Sequence, residues 1–197
     1  MTRLFPNIWE WSWFSAEKQL NFNGHFLQVG DHRILVDPPP LTSEDQTHII
    51  QNGPLDYIIV TNRDHEREAA SYKQVFHCQL FVPELDAPAM ALPVDKTYRD
   101  GELLPGGIWV IQLEDQKSPG ESALFLQQGN GILIVGDALI GNPPGTLSLL
   151  PPEKYADVTK ARTGLRRLLR YAFDTVLVGD GTSVLSGAKP LVEKILH

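Results

Sequence analysis

Four apolar runs end abruptly in a residue able to carry chemistry: Ile34-Leu35-Val36 before Asp37, Tyr57-Ile58-Ile59-Val60-Thr61 before Asn62, Ile132-Leu133-Ile134-Val135-Gly136 before Asp137, and Thr175-Val176-Leu177-Val178-Gly179 before Asp180. Carboxylates drawn from strands distant in sequence can gather around a metal ion or divide acid and base roles between them. Taken singly, each also has a plain structural use, because Asp and Asn end strands by bonding nearby backbone N–H groups. The densest stretch is Thr61-Asn62-Arg63-Asp64-His65-Glu66-Arg67, where donors and acceptors crowd the end of one run. A histidine flanked by Asp64 and Glu66 near a helix start can be an ordinary hydrogen-bonded residue, and its neighbourhood is what makes His65 a candidate.

The elements that must position these groups follow from pattern. The four runs lack period-two alternation and are rich in β-branched residues, which fits strands covered on both faces. Further strands are expected at 26–29, 79–82, 108–111 and 123–126. Thr42 and Ser43 can cap a helix that stops at Asn52-Gly53. A second helix is expected from Glu66 to Phe76. A third places Tyr155, Val158, Leu165, Leu168, Leu169 and Ala172 on one face, and a short one runs from Pro190. The two halves of the chain share this layout, so the predicted fold class is α/β (α+β). Its architecture is a four-layer αββα sandwich with helices outside and two sheets inside, formed by residues 1–197 as a single domain. In such sheets ligands collect at the carboxyl ends of strands, where the four polar residues lie.

These landmarks resemble the metallo-β-lactamase superfamily, whose hallmark is T-H-x-H-x-D-H after an apolar strand. Val36-Asp37-Pro38 is similar to its early I-D-P strand end, and Ser118-Pro119-Gly120-Glu121-Ser122 to its H-T-P-G-S motif. Gly136-Asp137 resembles its metal-bridging G-D, and Gly179-Asp180-Gly181 its G-H-G. They occur in the family's order over nearly the whole chain, and they imply an αββα hydrolase fold. The resemblance also shows what has changed. Aligned on Thr61, the first motif's histidines fall on Asn62, Asp64 and Arg67 and its aspartate on Glu66; the next histidine becomes Lys117 and the last Asp180. Only the bridging aspartate, Asp137, is kept. A shifted register that sets Asp64-His65 on the family's D-H recovers two ligands but moves Thr61 and Asn62 out of place, so the unshifted one is preferred.

A catalytic zinc takes about three His, Cys or carboxylate ligands plus a water. Asn62 is a weak ligand, and Arg67 and Lys117 are none. Two unit charges 4 Å apart interact by about 4 kcal/mol at an effective dielectric of 20, and a dication repels each cation about twice as strongly. Three readings follow. In the first, Arg67 and Lys117 neutralise Asp137, Asp64 or Asp180. The dinuclear zinc site is then largely lost, no cofactor is expected, and the protein is a non-catalytic or metal-free homologue of the family's hydrolases. In the second, Asp64, His65, Asp137 and Asp180 hold one divalent metal (Zn, Mn or Fe) that activates water on a small ester, amide or phosphate. In the third, metal-free catalysis uses Lys117 or His65 as acid and base, with Asp64 and Asp137 completing the catalytic set. The first is preferred. Asn62, Arg67 and Lys117 are the candidate contacts to a small anionic ligand, since Arg forks and ammonium groups recognise carboxylate or phosphate.

Composition bounds the rest. The chain has 197 residues with 17 Lys+Arg against 24 Asp+Glu, a formal charge of -7, and 42% hydrophobic residues. This is ordinary globular composition. The acidic balance argues against nucleic acid or an anionic membrane as partner. The basic stretch Arg162–Arg170 reads as a solvated helix face. One cysteine, Cys78, and no signal-like start point to the cytoplasm. Trp9, Trp11 and Trp13 fall on one face of an expected first strand and read as core; left exposed, they would favour a homodimer. His25, His32, His48, His77 and His197 lack ligand spacing.

Overall fold

The computed structural model describes residues 1–196. A seven-stranded sheet runs in chain order through β1 (Thr2–Phe5), β2 (Ile8–Ser15), β3 (Leu20–Val29), β4 (His32–Val36), β5 (Tyr57–Ile59), β6 (Gln79–Pro83) and β7 (Lys96–Tyr98). Its first four strands are antiparallel neighbours, and β4 to β7 pair in parallel. The second sheet has the order β12-β11-β10-β9-β8, built from β8 (Leu103–Leu104), β9 (Ile108–Gln112), β10 (Ser122–Leu126), β11 (Ile132–Val135) and β12 (Thr175–Val178). Only β11 and β12 pair in parallel there. The helices are α1 (Ser43–Gln51), α2 (Ala69–Phe76), α3 (Val158–Gly164) and α4 (Ala188–Ile195). None among the described residues is long and apolar enough to cross a membrane.

Three apolar clusters show how the layers stack. Leu27, Ile34 and Ile59 of the first sheet meet Val110, Leu124, Ile134 and Leu177 of the second, which is the core between the sheets. Trp9, Phe26, Leu35, Ile58 and Leu80 face the other way onto Ile49 of α1 and Ala69 of α2. Ile111, Leu133, Val135 and Val176 pack against Leu165, Leu168 and Val192. Both sheets are therefore apolar on both faces, which is why their strands read as unbroken apolar runs. Helices outside and two sheets inside form the four-layer αββα sandwich.

Several local expectations change. The third helix is not continuous: α3 gives way at Leu165–Arg170 to the tighter 3-10 form. Gly164 marks the junction, where a Cβ would lie 2.3 Å from the Glu114 carbonyl oxygen, so the helix turns against a close backbone neighbour. The second helix starts at Ala69 rather than Glu66, because Arg67 has a φ of +42° that breaks any helix through it. Trp9 and Trp11 are core, but Trp13 is 43% exposed and rests on Phe22 with ring centroids 6.0 Å apart. The Thr42 cap forms as expected, its Oγ1 accepting from Asp45 N at 3.1 Å.

Candidate functional site

All four polar strand ends come together. Asp37 follows β4, Thr61-Asn62 follow β5, Asp137 follows β11 and Asp180 follows β12, each at the carboxyl end of a parallel pair. The sheets are stitched at this end by backbone bonds: Asn23 N donates to Gly179 O at 2.7 Å, Gly181 N to Asn21 O at 2.8 Å, and Ser122 N to Thr61 O at 3.1 Å. These links fix the strand ends relative to one another.

His65 is the centre, 2% exposed. Its Nδ1 donates to Asp37 Oδ2 at 2.8 Å, while Nε2 lies 3.5 Å from Asp137 Oδ1 and 4.0 Å from Asp180 Oδ2. Asp37 is itself pinned by Thr61, whose N–H and Oγ1 donate at 2.7 and 2.6 Å. The ring lies against two glycines. A Cβ on Gly136 would stand 2.4 Å from Thr61 Oγ1 and 3.2 Å from His65 Nδ1, and one on Gly179 2.4 Å from His65 Cε1. Glycine at both places is what lets the strand ends close on an imidazole. Burial and the Arg67 charge work against the protonated ring, but Asp37 and Asp137 outweigh them and lift its pKa to about 10.

Two protein cations reach the remaining acids. Lys117 Nζ is 2.8 Å from Asp137 Oδ2 and 3.1 Å from Asp64 Oδ2. Arg67 Nη2 is 2.8 Å from Asp180 Oδ1 and 3.0 Å from Gly179 O, and Nη1 donates to the Asn23 and Asp37 carbonyls at 2.7 and 3.0 Å. Its guanidinium also sits over the Phe22 ring, 4.8 Å from the centroid. Burial raises the Asp137 pKa, but His65 and Lys117 prevail and hold it well below the usual range. Burial disfavours the Lys117 ammonium, yet Asp137 and Asp64 raise its pKa. For Asp180 burial wins, and its pKa is raised in spite of His65 and Arg67.

The sequence candidates therefore divide. His65, Asp137, Asp180, Lys117 and Arg67 form one connected network. Asp64 joins it only through Lys117, from a side chain 40% exposed. Asn62 is fully buried: its Oδ1 caps the turn by accepting from Asp64 N at 2.8 Å, and it does not line the cavity described below. It is thus not placed to touch a ligand, contrary to the expectation. Arg67 lines the cavity but has both terminal nitrogens committed to protein acceptors, so it acts as wall and brace rather than as a hand for an anion. Among the other histidines, His25 is buried on Glu10 at 3.1 Å, His32 packs on Tyr57, His48 packs on Trp9 and His77 ends α2; His197 lies outside the described residues.

Three groups escaped sequence reasoning. Asp37, read in the sequence as a strand end and as a likeness to the family's I-D-P but not as a site residue, is the partner of His65. Glu121, fully buried, accepts from the N–H groups of Asp137 and Ala138 at 3.1 and 3.3 Å and so shapes the turn that carries Asp137. Burial, with Asp137 nearby, pushes its carboxyl pKa well above the ordinary value. Asp86 accepts from Ser118 Oγ, from Gly120 N at 3.0 Å and from Arg63 N at 2.9 Å, tying the Lys117 loop to the His65 turn. No local pattern in the sequence marks Glu121 or Asp86.

Above the network opens a cavity of ≈710 Å³. Its floor carries His65, Asp137, Asp180 and Lys117; Leu20 and Phe22 stand on one side, and Ile140, Leu149, Leu150 and Pro151 also line it.

The family model described as "Metallo-beta-lactamase superfamily" matches residues 1–196. The chain belongs to the metallo-beta-lactamase superfamily. A search of curated proteins gave no match. Among solved structures, DIM-1 metallo-beta-lactamase superposes with a TM-score of 0.75 at 18% identity, covering 98% of this chain and 96% of that one. The metallo-beta-lactamase from Pontibacter korlensis gives 0.73 at 15% identity, with 98% and 97% covered. FIM-1 from Pseudomonas aeruginosa, in its mono-zinc form, gives 0.71 at 14%, with 99% and 95% covered. At these identities the likeness is one of fold.

The metal expected of a metallo-beta-lactamase fold must be tested against these residues. Among the described residues, one group has three suitable donors within 4.8 Å of one another: His65, Asp137 and Asp180. Two ions would need more donors than that, and Lys117 and Arg67 are already bonded to two of the same carboxylates. The donor set does not fit a two-metal centre.

Proposed function

We propose that this member of the superfamily works without the two-metal centre, as a non-catalytic pocket for a small anionic ligand. The observation that carries the reading is the pair of contacts from Lys117 to Asp137 and from Arg67 to Asp180, each 2.8 Å. Together with His65 they set three positive groups among the four carboxylates Asp37, Asp64, Asp137 and Asp180, so most of that negative charge is already offset from within. An entering dication would have to displace or repel all three. The cavity is nonetheless open, and the cations lining it, Lys18, Arg67, Lys117 and Lys154, outnumber its carboxylates Asp64, Asp137 and Asp180 in a chain that is acidic overall. That excess favours a negatively charged guest.

One observation favours a second reading, a hydrolase with a single ion. The free donor atoms of His65, Asp137 and Asp180 converge, while each group's other polar atom is held by Asp37, Lys117 or Arg67. An ion there would supply an activated water for a small ester, amide or phosphate. Elemental analysis of protein prepared without a histidine tag separates the two. Far less than one ion per chain, with thermal stability indifferent to chelators, is the expected result. One tightly held ion per chain, lost with Asp137→Ala, would establish the second reading instead.

A further inference from the structure

The cavity above the network has two kinds of wall. Hydrogen-bond arithmetic identifies which group can still receive a ligand. Arg67 spends Nη1 on two carbonyls and Nη2 on a carbonyl and a carboxylate. The Lys117 ammonium has three N–H donors, of which Asp137 and Asp64 take two. Its side chain is 30% exposed and lines the cavity, leaving one donor for a guest. Lys18, 58% exposed and paired with Glu17 at 2.7 Å, and Lys154, also exposed, lie further out along the same lining. With Asp137 and Asp64 holding two of its donors, Lys117 has one N–H left to offer, which matches a single carboxylate headgroup. One negative charge suits this place best.

The remaining lining is mostly apolar, with Asn142 and Ser148 as its polar members. Leu20 and Phe22 of β3, with Ile140, Leu149, Leu150 and Pro151 of the loop before α3, enclose space for far more than a headgroup. At ≈710 Å³ the cavity falls in the range of sites that enclose whole small molecules. A bare inorganic anion would leave this surface in contact with water only, whereas a hydrocarbon body would cover it and gain the hydrophobic free energy of that burial.

We infer that the cavity binds an amphiphilic monocarboxylate, its headgroup on Lys117 and its apolar body between Phe22 and Leu149-Leu150. This rests on the reading of the site as a metal-free anion pocket.

The test is calorimetric titration of the full-length, tag-free protein with decanoate, decanol, acetate and inorganic phosphate, all below micelle formation. Decanoate is expected to bind one to one and more tightly than the other three. Lys117→Met should weaken decanoate at least about tenfold, the loss of one charge-assisted bond, while leaving decanol unchanged. That constancy shows the pocket still folded. Should Lys117→Met fail to fold, Lys18→Met with Lys154→Met removes only exposed charges and should weaken decanoate several-fold. Equal binding of decanol and decanoate, binding of acetate or phosphate as tight as decanoate, or no effect of these substitutions overturns the assignment. Metal analysis of the same sample tests the metal-free reading separately: bound metal sinks that reading, and failure of decanoate with no metal present sinks only the ligand class.

Discussion

Replacing Lys117 with Met keeps the length of the side chain and removes its charge. At 2.8 Å, the attraction to Asp137 is on the order of 6 kcal/mol at an effective dielectric of 20. Most of that is offset by the desolvation both groups suffer, so the measurable effect is the cost of stranding Asp137. Breaking a buried pair costs roughly 3–5 kcal/mol. Here Asp137 is 4% exposed but keeps His65 at 3.5 Å, and the Lys117 side chain is 30% exposed, so the lower part of that range applies. A loss of about 3 kcal/mol is expected, which for a domain of this size lowers Tm by about 6–12 °C. The assay is thermal and urea unfolding at pH 7 of wild type, K117M, D137N and K117M/D137N. The double variant should recover most of the loss, because removing the stranded carboxylate removes its cause. A K117M protein that melts with the wild type, or a double variant whose losses simply add, would refute the claim that these groups form one balanced network.

Two further outcomes follow from the same geometry. The His65 pKa is raised to about 10, so its contribution is complete below the unfolded value of about 6.5 and fades as pH climbs toward 10; urea unfolding from pH 6 to 10 should show stability falling, and His65→Gln should flatten that decline. Since Glu121 serves as acceptor and a Gln carbonyl can accept in its place, Glu121→Gln should stay within about 1 kcal/mol of wild type, whereas Glu121→Leu orphans two buried N–H groups at about 1–3 kcal/mol each, a contrast read by urea melts.

Much of this was legible in the residue order, and the boundary of what was legible is physical. Strands β11 and β12 could be read because every residue from Ile132 to Val135 and from Thr175 to Val178 is buried, so no exposed position interrupts either run. The edge strands β1, β7 and β8 could not: Thr2–Phe5, Lys96–Tyr98 and Leu103–Leu104 mix exposed and buried positions over too few residues to show a period. The site's cations, Arg67 and Lys117, were visible as replacements within a family-like order. Glu121 was not, because a glutamate beside a glycine and a serine reads as surface, and only the fold reveals that its carboxyl is enclosed by the Asp137 turn. The break at Arg67 was equally hidden. Nothing local demands a positive φ there, and the pull comes from Asp180, more than a hundred positions along the chain.

The flat slot made by Gly136 and Gly179 has a further consequence for how this pocket can be altered. A slot one ring thick admits planar groups at position 65 and resists anything branched or bulky, so the middle of the network is close to immutable. Lys117 and Arg67, by contrast, arrive from the periphery on long, unbranched stems, and shorter side chains there would leave room instead of making collisions. Re-engineering the chemistry of this crevice, in the laboratory or through descent, therefore has an open route at those two positions and a closed one at the histidine between them.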